Sequence, residues 1–154
     1  MKNVIRFSAV LFSAVALSVL LGQLFEWPVK INMSKDEYKV AQVIYYDLTW
    51  VYFFEIIAFL LTITLLILER KKKRTFILLL VALIAFVISI AIFFIFTLPS
   101  EIATTQWSIF PDNWESLRDA WEYSNVWRAI INLTGFSFLV LALLKNRYYY
   151  REPI

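Results

Sequence analysis

Six polar and aromatic side chains recur at helical spacing in the last third of the chain. They are Trp114, Arg118, Trp121, Asn125, Arg128 and Asn132. Residues at this spacing share one face of a helix, and amide or guanidinium groups on a helix that enters a membrane should point into a helix bundle. Such groups can form hydrogen bonds and stabilise charge. The stripe therefore predicts either bonds that tie helices together or a binding site for a ligand.

Glu55 is the second position where chemistry is expected, because this acid lies in an apolar run among Phe and Ile residues. A charged group costs about 2.5–3.5 kcal/mol at the centre of a membrane span, so Glu55 should be protonated, paired or facing a wet cavity. Arg128 is the expected partner, with Tyr52 and Asn132 as neutral alternatives. In an enzyme, Glu55 would be the general base, and Arg128 and Asn125 would stabilise an enolate-like oxyanion. The alternative is a protonated Glu55 hydrogen-bonded between helices.

A second stripe of polar residues runs towards Glu55. It consists of Tyr38, Gln42, Tyr45, Thr49 and Tyr52. Hydroxyl and amide groups suit a pocket for a lipophilic molecule with polar substituents, such as a quinone or polyphenol, although tyrosines are also ordinary at a membrane boundary. The candidate ligand-binding residues of both stripes are Tyr45, Tyr52, Arg118, Trp121 and Asn132.

The composition is that of a membrane protein. Hydrophobic residues make up 61% of the 154 residues, and the mean hydropathy is +0.69, whereas about 45–50% is usual for soluble domains. The chain has neither cysteine nor histidine, which excludes disulfides, thiolate nucleophiles, imidazole bases and Cys/His metal sites within it. We expect no cofactor, no metal and no nucleic-acid partner.

Four apolar stretches are each long enough to cross about 30 Å of hydrocarbon. They cover about 4–25, 48–68, 76–98 and 127–144. With four spans, both termini and the loop 69–75 share one side, which carries ten basic residues and two acidic ones. Basic residues mark the cytoplasmic side, and the tryptophans cluster in or beside the opposite connections, 26–47 and 99–126. The sequence therefore predicts one domain, 1–154, in the cytoplasmic membrane with both termini cytoplasmic.

The predicted fold is an all-α, up-down-up-down four-helix bundle. Pro28 and Pro99 should end the first and third spans, because the residue before a proline disfavours the α conformation. The second and fourth helices, predicted over 35–68 and from 113 to about 147, then extend outward as an extracytoplasmic cap. Two similar units in the same orientation suggest a parallel two-hairpin repeat, although any two antiparallel pairs of spans would look alike.

Both extended helices begin with a capping signal. Ser34 and Glu37 have the spacing of a capping box, and Asp112 and Glu115 repeat this spacing with an acidic cap. Just beyond the second signal, Arg118 is expected to pair with Glu122, four residues later, or with another acid of the outer connections.

The outer connections carry the pattern F-E-x-P-x-K, followed by Tyr38 and Gln42, and the pattern P…W…P-x-x-W-x-x-L-R-x-x-W-E. The residues of the second pattern, with two that follow it, are Pro99, Trp107, Pro111, Trp114, Leu117, Arg118, Trp121, Glu122, Tyr123 and Arg128. In these residues the chain resembles the DUF1772 group of four-span membrane proteins, which includes the anthrone oxygenase-like proteins. The resemblance implies a four-helix membrane bundle and, from fungal members, oxygenation of anthrones without a recognised cofactor. Asn125 and Gln23 stand where histidine is expected in relatives.

Three functions follow from these observations. The first is an accessory or structural subunit, or a lipophilic-ligand-binding protein, of the cytoplasmic membrane. The second is a cofactor-independent, anthrone oxygenase-like enzyme acting on a lipophilic aromatic. The third is a proton-coupled carrier that uses Glu55, although the sequence shows no broken helix of the kind such carriers use. The partners that these functions imply are membrane lipids, a lipophilic small molecule, and other membrane subunits or a second copy of the chain.

Overall fold

A computed structural model describes residues 2–46 and 51–148, which are helical apart from short connections. The helices are α1 (Lys2–Lys30), α2 (Lys35–Tyr46), α3 (Val51–Leu68), α4 (Lys73–Ile92), a π-helical segment (Phe93–Thr97), α5 (Leu98–Ala103) and α6 (Trp114–Tyr148). No strand occurs in these two ranges. The prediction of an all-α protein is therefore confirmed for the described part of the chain.

Three helical runs are long and apolar enough to cross a membrane. They are Lys2–Lys30, Lys73–Ala103 and Trp114–Lys145, and a shorter apolar helix covers Tyr52–Leu68. The protein buries only 28%, 28% and 33% of the most apolar window of each run. Most of this apolar surface therefore faces outward, as it does in helices solvated by lipid, and the chain is a helical membrane protein.

An ion pair and a ring stack join α1 to α3 and the residue that follows it. Arg6 near the start of α1 pairs with Glu69, which follows α3, and Phe12 stacks on Phe54 with 5.5 Å between ring centroids. A buried core joins α1, α3, α4 and α6 through Ala9, Leu65, Leu79, Ala82, Leu139 and Ala142. Small side chains in this core let the helix backbones approach closely.

Gly135 marks the closest approach of α4 and α6. A Cβ atom at this position would lie 2.9 Å from Cε1 of Phe86 and 3.1 Å from Cβ of Ala85. Only glycine therefore fits without displacing α4.

The prediction that two prolines end their helices is wrong. Helix α1 contains Pro28 and continues to Lys30, and Pro99 is the second residue of α5. A proline disrupts a helix mainly by removing one N–H donor and by crowding the preceding turn. Pro28 lies in the last turn of α1, so few bonds are at risk, and Pro99 lies in a first turn, where the N–H needs no helical partner.

The long fourth helix is confirmed, because α6 covers Trp114–Tyr148. It begins one residue later than predicted, so its N-cap is Asn113 and not Asp112. At the start of α2, Glu37 accepts hydrogen bonds from the Ser34 hydroxyl at 2.6 Å and the Ser34 N–H at 2.9 Å, which lower the pKa of Glu37. Glu37 thus reaches back as the capping box requires, while the Ser34 hydroxyl donates to it. The predicted continuity of 35–68 depends on residues 47–50, which lie outside the described residues.

An aromatic cluster joins α2, the 104–113 connection and the start of α6. We call it the aromatic cap. Its buried members are Tyr38, Trp107 and Trp121, packed against Met33, Phe110, Trp114 and Leu117. Ring centroids are 5.0 Å apart between Tyr38 and Trp107 and 5.9 Å apart between Trp107 and Trp121, and both pairs meet edge to face. Such pairs stabilise beyond the area they bury, so this end of the molecule is a packed unit.

Candidate functional site

Glu55 of α3 and Arg128 of α6 form a buried ion pair. Oε2 of Glu55 lies 2.7 Å from Nη2 of Arg128, and the two side chains are 7% and 0% exposed. Oε1 of Glu55 accepts from Ser89 of α4 at 2.7 Å and from Asn132 at 3.1 Å. Nη1 of Arg128 donates to Asn125 at 3.0 Å. The expected partner Arg128 and the neutral partner Asn132 are therefore both in contact with Glu55.

Two aromatic rings enclose the guanidinium of Arg128. Its Cζ atom lies 5.3 Å from the ring centroid of Tyr52 and 4.9 Å from that of Phe93. Cation–π attraction of this kind is strongest where water is excluded. Oε1 of Glu55 accepts two hydrogen bonds and Oε2 accepts one from Arg128, so the carboxylate joins α3, α4 and α6.

Glu101 of α5 is a half-buried carboxylate that sequence reasoning missed. Its Oε1 accepts from the Tyr52 hydroxyl at 3.1 Å and from Nε1 of Trp121 at 3.2 Å. Oε2 has no hydrogen-bond partner among the described residues. The signal was present, because Pro99 followed by an acid in the same turn is typical of a helix start. The assumption that Pro99 ends a helix concealed it.

Glu101 lines a cleft of about 310 Å³ that opens to the surface. The other lining residues are Phe93, Leu98, Ile102, Thr105 and Gln106. The lining therefore combines apolar side chains with a hydroxyl, an amide and the carboxylate.

The backbone on both sides of this cleft is irregular. Thr105, Gln106 and Trp107 have φ angles of 48°, 55° and 64°. The N–H groups of Thr105 and Gln106 donate to Ile102 and Glu101 at 3.1 Å and 2.7 Å, which is the Schellman pattern that usually has glycine in the place of Thr105. Left-handed non-glycine residues cost about 1–3 kcal/mol each and concentrate at functional sites, as do π-helical turns like Phe93–Thr97.

A second buried ion pair lies at the aromatic cap. Nζ of Lys30 is 3.2 Å from Oε1 of Glu122, and the side chains are 2% and 1% exposed. The same oxygen accepts from the Tyr38 hydroxyl at 3.0 Å. Burial, reinforced by the charge of Glu122, raises the pKa of Tyr38. Lys30 was missed because the sequence prediction placed it in a loop beyond Pro28.

Arg118 pairs with another acid of the outer connection, as the second of its two predicted alternatives requires, and not with Glu122. Arg118 binds Asp119 at 3.0 Å and the carbonyl of Met33 at 3.3 Å, because Lys30 already occupies Glu122. The guanidinium of Arg118 lies 5.1 Å from the Trp114 ring, so this candidate ligand-binding residue belongs to the aromatic cap.

The two ion pairs and Glu101 form one chain of contacts beside α6, which we call the polar column. Its members in order are Glu122, Lys30, Trp121, Glu101, Tyr52, Arg128 and Glu55. Nζ of Lys30 lies 4.9 Å from the Trp121 ring, which links the first pair to Glu101. Of the remaining predicted site residues, Asn125 and Asn132 bind the column directly. The side chain of Tyr45 lies outside the described residues.

Within residues 2–46 and 51–148, no group of three or more acidic side chains is placed to hold a metal ion. No family model, curated protein or solved structure matches the chain. The fold and the site therefore define the class by themselves: a helical membrane protein with a buried polar column and a cleft at one end.

Proposed function

We propose that this protein binds a small lipophilic molecule with a polar substituent in the cleft lined by Glu101. One observation carries the proposal: a half-buried carboxylate lines the cleft, and one of its oxygens accepts no hydrogen bond from residues 2–46 and 51–148. A carboxylate oxygen that lines an open cleft can accept a hydrogen bond from a molecule bound there, and such a bond is strong when the donor is charged. The volume of about 310 Å³ is at the lower end of that of ligand pockets, which combine apolar walls with a few polar groups.

The proposed setting is an up-down-up-down four-helix bundle in the cytoplasmic membrane, with both termini and residues 70–74 cytoplasmic. The contacts between opposite ends of neighbouring helices support this order. The basic block 70–74 supports the orientation. In this orientation the cleft and the aromatic cap face the outer side, where a molecule could enter from the outer leaflet. We also propose that the chain is related to the DUF1772 proteins that its outer connections resemble.

An anthrone oxygenase-like reaction receives less support from the geometry. A general base must reach the proton that it removes, whereas both oxygens of Glu55 already accept hydrogen bonds. Release of Glu55 would leave Arg128 buried without its counter-ion. A proton-coupled carrier meets the same obstacle.

A function as an accessory subunit is the second candidate, and two exposed side chains on α2 favour it. Val40 and Val43 are 72% and 69% exposed on a helix that also carries exposed Lys35, Asp36 and Glu37. Apolar side chains presented by a polar helix suit contact with a partner protein. Crosslinking from the cysteine of Val40→Cys in native membranes should attach a partner protein to this chain. Attachment of lipid alone, with no partner protein, would exclude this function.

The test of ligand binding is native mass spectrometry of protein extracted with its surrounding lipid. We expect an adduct on the wild-type protein and a much weaker adduct on Ile102→Trp, where a bulky ring enters the cleft. Ile109→Trp is the matched control, because Ile109 is similarly exposed but does not line the cleft. If no adduct forms, or if Ile102→Trp retains it fully, the cleft is not a ligand site.

A further inference from the structure

We infer that the polar substituent recognised in the cleft is an ammonium group, with the Glu101 carboxylate as its counter-ion. The inference depends on the proposed function, since it names the chemistry of the ligand in the same cleft. It rests on the charges of the polar column, on the hydrogen bonds of Glu101 and on the surface around the cleft.

The polar column contains three carboxylates and two cations. Glu55 is paired with Arg128, and Glu122 is paired with Lys30. In the described part of the chain, the donors to Glu101 are the neutral groups of Tyr52 and Trp121. When every group is ionised, the column therefore carries one excess negative charge, and it is located on the residue that lines the cleft. A cation in the cleft neutralises this charge, whereas an anion is repelled by it.

The hydrogen bonds of Glu101 favour the same ligand. Both neutral donors bind Oε1, which fixes the carboxylate and leaves Oε2 to accept from a molecule in the cleft. An ammonium group supplies a donor together with a positive charge, and charge-assisted hydrogen bonds are about twice as strong as neutral ones. The charge of Arg128 acts on Glu101 only at a distance, because Glu55 and two aromatic rings already enclose its guanidinium.

The surface around the cleft suits an apolar body attached to that ammonium group. Ile102 on the wall is 68% exposed, and the π-helical segment that leads to the cleft presents Phe94, Ile95 and Phe96 at 59%, 61% and 50% exposure. An alkyl chain or ring system can lie along this surface while its charged end reaches Glu101. The amine headgroup of a membrane lipid and a free lipophilic amine both have this chemistry.

The experiment compares four probes with the same alkyl chain in a neutral sugar detergent. They are dodecylamine, dodecyltrimethylammonium, dodecanol and dodecanoate, each titrated below its micellar concentration with binding followed by thermal shift and calorimetry. We expect the two cations to bind at least tenfold more tightly than dodecanol and dodecanoate. Preference for the alcohol or the carboxylate over both cations would overturn the inference, as would equal binding of all four.

Variants of the protein test whether the preference for cations arises at Glu101. Glu101→Gln should remove the preference for cations and leave weak binding of all four probes, whereas Ile102→Trp should weaken all of them. Glu115→Gln, which removes an exposed acid outside the cleft, should change nothing. If Glu101→Gln does not fold, the ranking of the four probes on the wild-type protein decides by itself.

The outcomes separate this inference from the proposed function. Binding of dodecanol as tight as that of dodecylamine, abolished by Ile102→Trp, would retain a lipophilic site and reject the ammonium group. No binding of any probe would reject both. Short-chain phosphatidylethanolamine and phosphatidylglycerol identify the source: binding of the former alone indicates a lipid headgroup, and binding of neither, with dodecylamine bound, indicates a free amine.

Discussion

Arg128 and Glu55 depend on each other because neither is exposed to water. The guanidinium is 0% exposed, and its charge is matched at 2.7 Å by the carboxylate. Desolvating two charges is expensive, so such a pair adds little net stability. Removing only one partner is costly, because the other charge then stays buried alone.

We therefore expect Glu55→Gln to lower the free energy of unfolding by about 3–5 kcal/mol, because Arg128 loses its counter-ion. The double variant Glu55→Leu with Arg128→Met removes both charges and should recover most of that loss. Chemical unfolding in detergent measures both, with Glu115→Gln as the surface control. A double variant less stable than Glu55→Gln would show that the ion pair itself stabilises the bundle.

Glu69 lies at the opposite end of the molecule, and we expect its carboxylate to make the stability of the protein depend on pH. Burial alone would raise its pKa, but the bonds and charges of Arg6 and Lys72 outweigh burial and lower it from 4.5. A carboxyl group whose pKa is lower in the folded state than in the unfolded state stabilises the fold above the unfolded-state pKa. This stabilisation is lost as the pH falls through the folded-state pKa. The melting temperature of Glu69→Gln should fall furthest below that of the wild type near neutral pH. The gap should close below about pH 4; a constant gap would contradict this.

At the scale of helices, local sequence patterns were sufficient to predict α6, but they did not predict where α1 ends or where α5 begins and ends. The α6 stripe was predictable because residues three and four apart share a face whatever surrounds the helix. The pairing of Glu55 with Arg128 followed from the cost of an unpaired buried charge. Lys30 and Glu101 could not be placed, because their roles depend on helices continuing past Pro28 and beginning at Leu98, which tertiary packing decides.

In the left-handed turn after α5, we expect a substitution by glycine to increase the stability of the protein. Thr105→Gly should raise the free energy of unfolding by about 0.5–1 kcal/mol, because a β-branched residue is strained at positive φ and glycine is not. Ala103→Gly, two residues earlier in α5, should lower it by a similar amount, since glycine weakens a helix. Thermal melts of both variants test the pair. Destabilisation by Thr105→Gly would show that its side-chain contacts outweigh the strain.

Two tryptophans on α6 differ in burial, so we expect their replacement by alanine to change stability by different amounts. Trp121 is 2% exposed in the aromatic cap, whereas Trp127, less than two turns away, is 58% exposed. Trp121→Ala should cost about 3–5 kcal/mol, because it leaves a large cavity and removes the Nε1 bond to Glu101. Trp127→Ala should cost under about 1 kcal/mol. Equal melting midpoints for the two variants would show that the cap is not a packed unit.

At the scale of the whole molecule, charge and aromatic residues are segregated to opposite ends. Residues 70–74 are all basic, whereas the aromatic cap lies at the other end of the same helices. Positive charge is retained on the cytoplasmic side during insertion, and indole rings prefer the membrane boundary. This segregation is the basis of the proposed orientation.

The orientation can be tested by labelling, because the natural chain contains no cysteine. Lys71→Cys and Ser108→Cys each introduce one thiol at an exposed position. A membrane-impermeant maleimide should label Ser108→Cys on intact cells and should label Lys71→Cys only after the membrane is opened. The reverse pattern would invert the proposed topology, and labelling of both on intact cells would exclude it.

The length of α6 gives the molecule a mechanical property. Its 35 residues contain no proline and extend for about 52 Å, so Trp121, which donates a hydrogen bond to Glu101 of the cleft, and the residues at the opposite end belong to one helix. A tilt of about 5° around its centre would move each tip by about 2 Å, comparable with the shifts of helices in known switches. The contact between Trp121 and Glu101 would move with that tip, so a tilt of α6 would displace a residue of the cleft and the opposite end of the helix together.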